Sequence, residues 1–274
     1  LKLHDQLIEG LGYMGFEDAT PIQEAAMPKI LVGNDLIGCA QTGTGKTAAF
    51  ILPVLHKLAN KSTKGLNTLV ICPTRELAIQ IEQEIQGFSY FTGASSLAIY
   101  GGGDGTNWEA QKSALTNGCD IVVATPGKLM SHINMGYVNF SNIEHLILDE
   151  ADRMLDMGFV DDILKIIKKM PKERQSLFFS ATMPPKIREF ASKILKKEYD
   201  EISMAISKPA AGVLQAAYLA YDAQKAQLLT QLIDKNPEYE SIIVFTSTKR
   251  KVADIMNAFR GKKYEVAAIS SDYE

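Results

Sequence analysis

The chain has 274 residues, 46% hydrophobic and 22% charged, the balance of a folded globular protein rather than a disordered or fibrous one. No apolar run approaches membrane-spanning length and no N-terminal stretch reads as a signal peptide, so no membrane partner is expected. A formal net charge of −3 argues against the strongly basic face by which many proteins bind nucleic acid. Cys39, Cys72 and Cys119 lie far apart in or beside apolar runs, with no CxxC pair. Buried reduced thiols are therefore expected rather than disulfides or a zinc site, which suits a cytoplasmic protein. A monomer is expected, and the opening Leu1 in place of Met suggests a start further upstream.

Taken in chain order, Asp35–Cys39, Thr68–Cys72, Ser96–Tyr100, Asp120–Ala124, His145–Asp149, Gln175–Phe179 and Asp200–Ser203 read as strands. Helical patterns such as Arg75–Phe88, Asp161–Met170 and Pro185–Lys196 lie between them. Alternation of strand and helix, with strands apolar throughout, predicts an α/β fold whose parallel sheet carries helices on both faces. The pattern stops at Ser207-Lys208-Pro209-Ala210-Ala211-Gly212, which has linker composition. Residues 1–206 form the expected first domain and 207–212 the linker. In 213–274 a new alternation begins, with strands at Val213–Ala220, Ser241–Thr246 and Glu265–Ser270 and helices near Ala223–Asp234 and Lys249–Phe259. This block is short for such a domain and stops just past a strand, so it reads as a truncated second domain.

After the first strand comes Ala40-Gln41-Thr42-Gly43-Thr44-Gly45-Lys46-Thr47, followed by a helical run. Gly43 and Gly45 permit backbone angles that let successive N–H groups converge on phosphate oxygens. Lys46 supplies charge to the outer phosphates, the Thr47 hydroxyl can ligate Mg²⁺, and the helix start adds its dipole. Ala40 departs from the general pattern, which has Gly there. An acid at the end of a buried strand should complete the site, and His145-Leu146-Ile147-Leu148-Asp149-Glu150 provides one. Asp149 can hold Mg²⁺ through water while Glu150 polarises a water in line with the γ-phosphate. Alone, Asp149-Glu150 would read as the acidic start of a helix; paired with the glycine loop it reads as catalytic, with Lys46.

Asp149-Glu150-Ala151-Asp152 resembles the signature of the DEAD-box ATP-dependent RNA helicases, and further motifs follow in family order. Phe16 and Thr20-Pro21-Ile22-Gln23 are similar to the family's adenine-reading Q motif, and Ala40 is usual in its form of the P-loop. Pro73-Thr74-Arg75-Glu76-Leu77-Ala78, Gly101-Gly102, Thr125-Pro126-Gly127 and Ser180-Ala181-Thr182 complete the set in the first domain. The resemblance implies two RecA-like domains, ATP and Mg²⁺ as cofactors, and RNA as partner. It gives Gln23 a role, since a carboxamide matches the donor and acceptor edge of adenine and mismatches guanine. Phe16 would stack on the base. Thr20, Gln41, Thr42 and Thr44 join the ATP-binding set by the same resemblance.

Three strand ends, at Pro73-Thr74-Arg75, Gly101-Gly102 and Thr125-Pro126-Gly127-Lys128, place small or hydroxyl residues where backbone N–H groups are free. Each alone reads as a turn or helix cap. On the carboxyl edge of one parallel sheet, three such sites suit a phosphodiester backbone held by dipoles and hydroxyls, which reconciles RNA with the acidic charge. Contact through backbone and 2′-OH would make binding insensitive to sequence. Lys128 stands where the family usually has Arg, and the segment between Gly102 and Gln111 is longer than usual. Its Trp108, the single tryptophan, is expected to pack against the sheet rather than stack on a base. Ser180 and Thr182 are implied to couple ATP state to duplex opening through Asp152. In the second domain Thr246 and Ser247 are implied RNA contacts. Family enzymes close both domains over ATP and RNA using arginines that this chain does not reach, so weak nucleotide binding and little RNA-stimulated ATPase are expected of it. The rival readings are a related P-loop translocase on DNA, an RNA clamp of slow turnover, and a P-loop kinase, for which no lid is apparent.

Overall fold

The apolar runs pair side by side in a computed structural model that describes residues 2–60, 65–102, 108–204, 213–262 and 264–270. β1 (Asp35–Cys39), β2 (Thr68–Ile71), β3 (Ser96–Ile99), β4 (Ile121–Ala124), β5 (His145–Leu148), β6 (Gln175–Ser180) and β7 (Tyr199–Ser203) form one sheet. Its order is β3-β4-β2-β5-β6-β1-β7, and every neighbouring pair is parallel. The helices α1 (Asp5–Tyr13) and α2 (Pro21–Val32) precede the first strand, and α3 (Lys46–Asn60), α4 (Arg75–Ser89), α5 (Trp108–Asn117), α6 (Pro126–Asn134), α7 (Ala151–Asp156), α8 (Val160–Ile167) and α9 (Pro185–Ser192) connect the strands. The parallel α/β architecture read from the alternation is the one observed.

Because successive strand residues point to opposite faces, each strand except the edge strand β7, which buries only Ile202, feeds two cores. Leu36, Val70, Ile147, Leu177 and Phe179 face one, with α2, α3 and α4. Ile37, Leu69, Ile71, Leu146, Leu148 and Phe178 face the other, with α6, α8 and α9. This two-sided burial explains why the strands show no polar alternation. Gly38 is required by close packing: a Cβ there would lie 2.5 Å from the Phe179 ring, which itself packs on Phe50 at 5.2 Å between centroids.

The amino edge of the sheet is closed by structural polar contacts. Buried Asp35 accepts from Ser176 N and Lys196 N, both at 2.8 Å. Gln175 donates to Asn34 O at 2.6 Å and Ile30 O at 3.0 Å, so β1, α2 and β6 are tied together there. The carboxyl edge carries the turns described below. β2, β3 and β5 each leave the ladder one residue before the sequence suggests, as the chain turns into those sites, although Asp149 N still donates to Ile71 O at 3.0 Å.

The chain divides into two compact units, Leu1–Ser207 and Lys208–Glu274. The expected linker at 207–212, residues 103–107 and residues 271–274 lie outside the described residues. In the second unit α10 (Asp222–Lys235) and α11 (Lys249–Phe259) form where helices are expected. The three segments expected as strands there form no ladder among the described residues, which corrects that part of the reading. A helix satisfies its backbone internally, whereas a strand needs a neighbour. Leu214, Phe245 and Ile269, on those segments, are exposed.

Candidate active site

Strand order sorts the sequence-predicted residues into two groups. The turns after β3, β4 and β2, three adjacent strands, carry Gly101-Gly102, Thr125-Pro126-Gly127-Lys128 and Pro73-Thr74-Arg75. Those after β5, β6 and β1, the next three, carry Asp149-Glu150, Ser180-Ala181-Thr182 and the loop Ala40–Lys46. The groups meet where Asp149 N reaches Ile71 O. Thr246, half-buried, and Ser247, exposed, belong to the second unit just before α11, whose cap Thr248 accepts from Lys251 N at 3.3 Å.

Internal hydrogen bonds brace the glycine loop. Lys46, buried at the start of α3, turns back to donate to Ala40 O at 2.9 Å, and Thr44 Oγ1 donates to Gln41 O at 2.8 Å. Gly43 and Gly45 have φ of +78° and +86°, as a loop with converging N–H groups requires. Thr47 lies in the first turn of α3, half-buried, and Thr42 is exposed.

Gln23 does not face solvent. It is buried on α2, its Oε1 accepting from Thr20 N at 3.0 Å and its Nε2 donating to Gly45 O at 3.1 Å. A carboxamide has two N–H donors and two acceptor lone pairs. One of each is committed to the protein and one of each remains for a base edge. Thr20 Oγ1 is buried beside Gly45 with no partner among the described residues. Phe16 meets Phe88 edge-on at 5.6 Å and is 42% exposed, which leaves ring surface open.

Asp149 is buried, with Oδ1 accepting from Glu150 N at 2.9 Å. Burial pushes its carboxyl up to about 6, against the pull of the Lys46 ammonium and the Glu150 N–H, while the Glu150 and Glu84 carboxylates add to the rise. A carboxylate so short of compensating charge fits a divalent cation, and Thr47 supplies the hydroxyl such a site takes. Glu150 has φ 51° and ψ 49°, making it the one non-glycine residue with positive φ among those described. This left-handed turn separates its half-exposed side chain from Asp149, and it sits at a proposed catalytic residue, where backbone strain tends to gather. Nothing in the sequence signals it.

Asp152 Oδ2 accepts from Thr182 Oγ1 at 2.9 Å and Thr182 N at 3.0 Å, and Ser180 Oγ donates to Thr182 O at 2.8 Å. Partial burial disfavours the Asp152 anion, but these hydroxyls and the Arg153 and Ala181 N–H groups outweigh it and hold the carboxyl below its ordinary range.

On the other half, Thr74 caps α4 by accepting from Leu77 N at 3.3 Å, so its hydroxyl does the local work that the cap reading expects. Thr125 caps α6 without a side-chain bond. Arg75 donates to Gly102 O and lies over the Tyr100 ring at 5.0 Å, joining two of the three turns. Tyr100 was not singled out by the sequence, although it directly precedes the glycine pair. Trp108 packs on α6 rather than on the sheet: its ring stacks on His132 at 4.0 Å between centroids and 15° between planes. α5 starts at the indole, and His132 on α6 offers it a flat partner.

A parallel sheet whose first strand enters a glycine-lysine loop, with an acid pair two strands away, defines a RecA-like P-loop protein. Residues 20–190 match the DEAD/DEAH box helicase family, and the chain belongs to that family. It is 42% identical over 271 residues to an ATP-dependent RNA helicase CshA of Listeria monocytogenes, covering 98% of this chain and 51% of that protein. It is 40% identical to a DEAD-box ATP-dependent RNA helicase CshA of Bacillus subtilis, covering 99% of this chain and 54% of that one. An ATP-dependent RNA helicase DeaD of Mycobacterium tuberculosis is 37% identical over 99% of this chain and 47% of its own length. The chain thus spans about half the length of the curated relatives it matches.

Proposed function

We propose that the chain is the ATP-binding, RNA-gripping part of an ATP-dependent RNA helicase that opens short duplexes locally. The observation that carries this reading is the division of one sheet edge into two adjacent sets of turns, joined at the Asp149–Ile71 contact. Residues 1–206 act as one RecA-like domain and 213–274 as the beginning of a second, with Thr246 and Ser247 as further RNA contacts. A cytoplasmic location fits the free cysteines, two of them buried.

On the ATP side, Phe16 stacks on adenine while Gln23 offers its remaining donor and acceptor to the base edge. The N–H groups of Gln41 to Gly45 and the Lys46 ammonium cradle the phosphates. Thr47 and Asp149 would hold Mg²⁺, which when bound neutralises phosphate charge. Glu150 accepts a proton from the water that attacks the γ-phosphorus as the bond to the ADP oxygen breaks. On the RNA side, Thr74, Thr125, the Gly101-Gly102 turn and free helix-start N–H groups meet phosphates, with Arg75 and Lys128 as the cations. Asp152 with Ser180 and Thr182 stands between acid pair and loop, so a change at the γ-phosphate moves hydrogen bonds tied to α7.

The test is nucleotide and RNA binding by the chain together with hydrolysis in a length matching its relatives. Glu150→Gln should retain ATP and RNA binding and lose turnover. Arg75→Ala and Thr125→Val should weaken single-stranded RNA binding while leaving ATP affinity alone. Equal or better binding and unwinding of DNA would replace this reading with a DNA translocase, and stable RNA retention without strand separation would replace it with a clamp.

A further inference from the structure

Lys128 is a lysine at a turn where phosphate would be gripped, and a lysine is a poor gripping group unless something aims it. Its charge sits on a flexible stem and lacks the planar fork of arginine. Here the ammonium is not left to wander: Nζ lies over the Trp108 ring, 4.4 Å from the centroid.

The indole is itself held. It stacks on His132, whose ring is completely buried and tied on both nitrogens. Nε2 lies 3.0 Å from Gln111 Oε1 and Nδ1 is hydrogen-bonded with the Tyr137 hydroxyl, so both ring nitrogens are fixed in place. Burial, with the charge of Lys128 in second place, lowers the imidazole to about 4. The ring beneath the indole is therefore neutral at physiological pH and does not repel the ammonium above it. The cluster spans α5 and α6 and reaches its cation at the third residue of α6, beside Thr125 at the end of β4.

We infer that Trp108 is a positioning residue for an RNA-phosphate contact made by Lys128, the locked indole supplying the direction that the lysine stem lacks. This rests on the proposal that the turns after β2, β3 and β4 bind RNA. Arg75 over Tyr100, at the neighbouring turn, is built on the same plan.

The experiment measures affinity of the chain for a fluorescently labelled, unstructured single-stranded RNA across a salt series, with thermal melting to confirm folding. Lys128→Ala should weaken binding and reduce the slope of log affinity against log salt by about 0.7, the loss of one phosphate contact on a single strand. Trp108→Leu should weaken binding about two- to five-fold, the scale of an exposed cation–π contact, with the same change of slope. Trp108→Phe should recover most of this because a ring remains. In the Lys128→Ala background, Trp108→Leu should have no further effect.

The inference is overturned if Trp108→Leu weakens RNA binding equally with and without Lys128, which would make the indole purely structural. It is also overturned if Trp108→Leu changes nothing while Lys128→Ala does, or if Lys128→Ala has no effect while Arg75→Ala and Thr125→Val do. In those last two cases the RNA reading of the edge stands. If none of Arg75→Ala, Thr125→Val and Lys128→Ala weakens binding, that reading falls and the inference with it.

Discussion

Gly45→Ala is the sharpest probe of how the ATP half is assembled. A Cβ at this position would lie 2.5 Å from Gln23 Nε2, 3.0 Å from Thr20 Oγ1 and 3.2 Å from Thr20 Cγ2. Residue 45 also has φ +86°, where any side chain is strained. The left-handed conformation costs alanine about 1–2 kcal/mol, and displacing Gln23 loses the bond to Gly45 O, worth about 1 kcal/mol. A destabilisation of about 2–3 kcal/mol is therefore expected, or about 4–12 °C in melting temperature for a unit of this size. Adenine-nucleotide affinity should fall with it, because Gln23 is moved from the position its capping contact with Thr20 N defines. In a Gln23→Ala background the carboxamide is gone, so the penalty should shrink by about 1 kcal/mol, with the strain and the Thr20 contact remaining. Melting curves of the four proteins, with and without nucleotide, measure this directly. Equal penalties in both backgrounds, or a Gly45→Ala protein as stable as the parent, would refute the claim that Gln23 and the glycine loop are one packed unit.

Thr182→Ala removes one of the two hydrogen bonds that Thr182 makes to Asp152 and keeps the backbone one, so nucleotide affinity should hold. RNA-stimulated turnover in a length matching the relatives should drop about tenfold, the worth of one charge-assisted bond; an equal drop without RNA would show that coupling is not what it carries. Of the three thiols, burial pushes Cys72 and Cys119 upward, whereas Cys39 is half-exposed. Titration of the native chain with a disulfide reagent should find one fast thiol, removed by Cys39→Ser, and two that react only on unfolding. His132 is lowered from 6.5 to about 4 in the folded chain, so the unfolded chain takes up that proton first. The stability it contributes is present above pH 6.5 and lost as pH falls toward 4. Melting temperature should rise with pH across that window, and His132→Gln should flatten the slope.

Much of the first unit was legible because its signals are local. A strand buried on both faces must be apolar throughout, and a helix must repeat its apolar positions, so the seven strands could be located within a residue or two. The glycine loop was legible because its chemistry is written in consecutive residues. What escaped depends on neighbours distant in sequence. Gln23 meets Gly45 across 22 residues, and Trp108 meets His132 through packing of two helices that no spacing rule predicts. The left-handed turn at Glu150 escaped for another reason: glutamate does not advertise positive φ as glycine does. The three segments of the second unit were misread as paired strands because an apolar run states only that a strand could form there. Pairing depends on a neighbour that the run does not contain.

On the proposed function, strand order lets one sheet edge serve two ligands without a separate relay. β2 and β5 are adjacent, though the 73 residues 72–144, which carry β3 and β4, lie between Ile71 at the end of β2 and His145 at the start of β5. That excursion places the turns after β3 and β4 beyond β2, on the side away from the glycine loop. The acid pair therefore sits at the boundary, with Asp149 N bonded to Ile71 O just before Pro73-Thr74-Arg75. On its other flank β6 delivers Ser180 and Thr182, whose hydrogen bonds hold Asp152 at the start of α7. Displacement of α7 on a change at the phosphates would strain the sheet edge at β5, and the nearest turn to receive it belongs to the RNA set. On the proposed function, the order β4-β2-β5-β6-β1 would itself be the mechanical link, and exchanging β2 with any strand on the far side of β1 would break it.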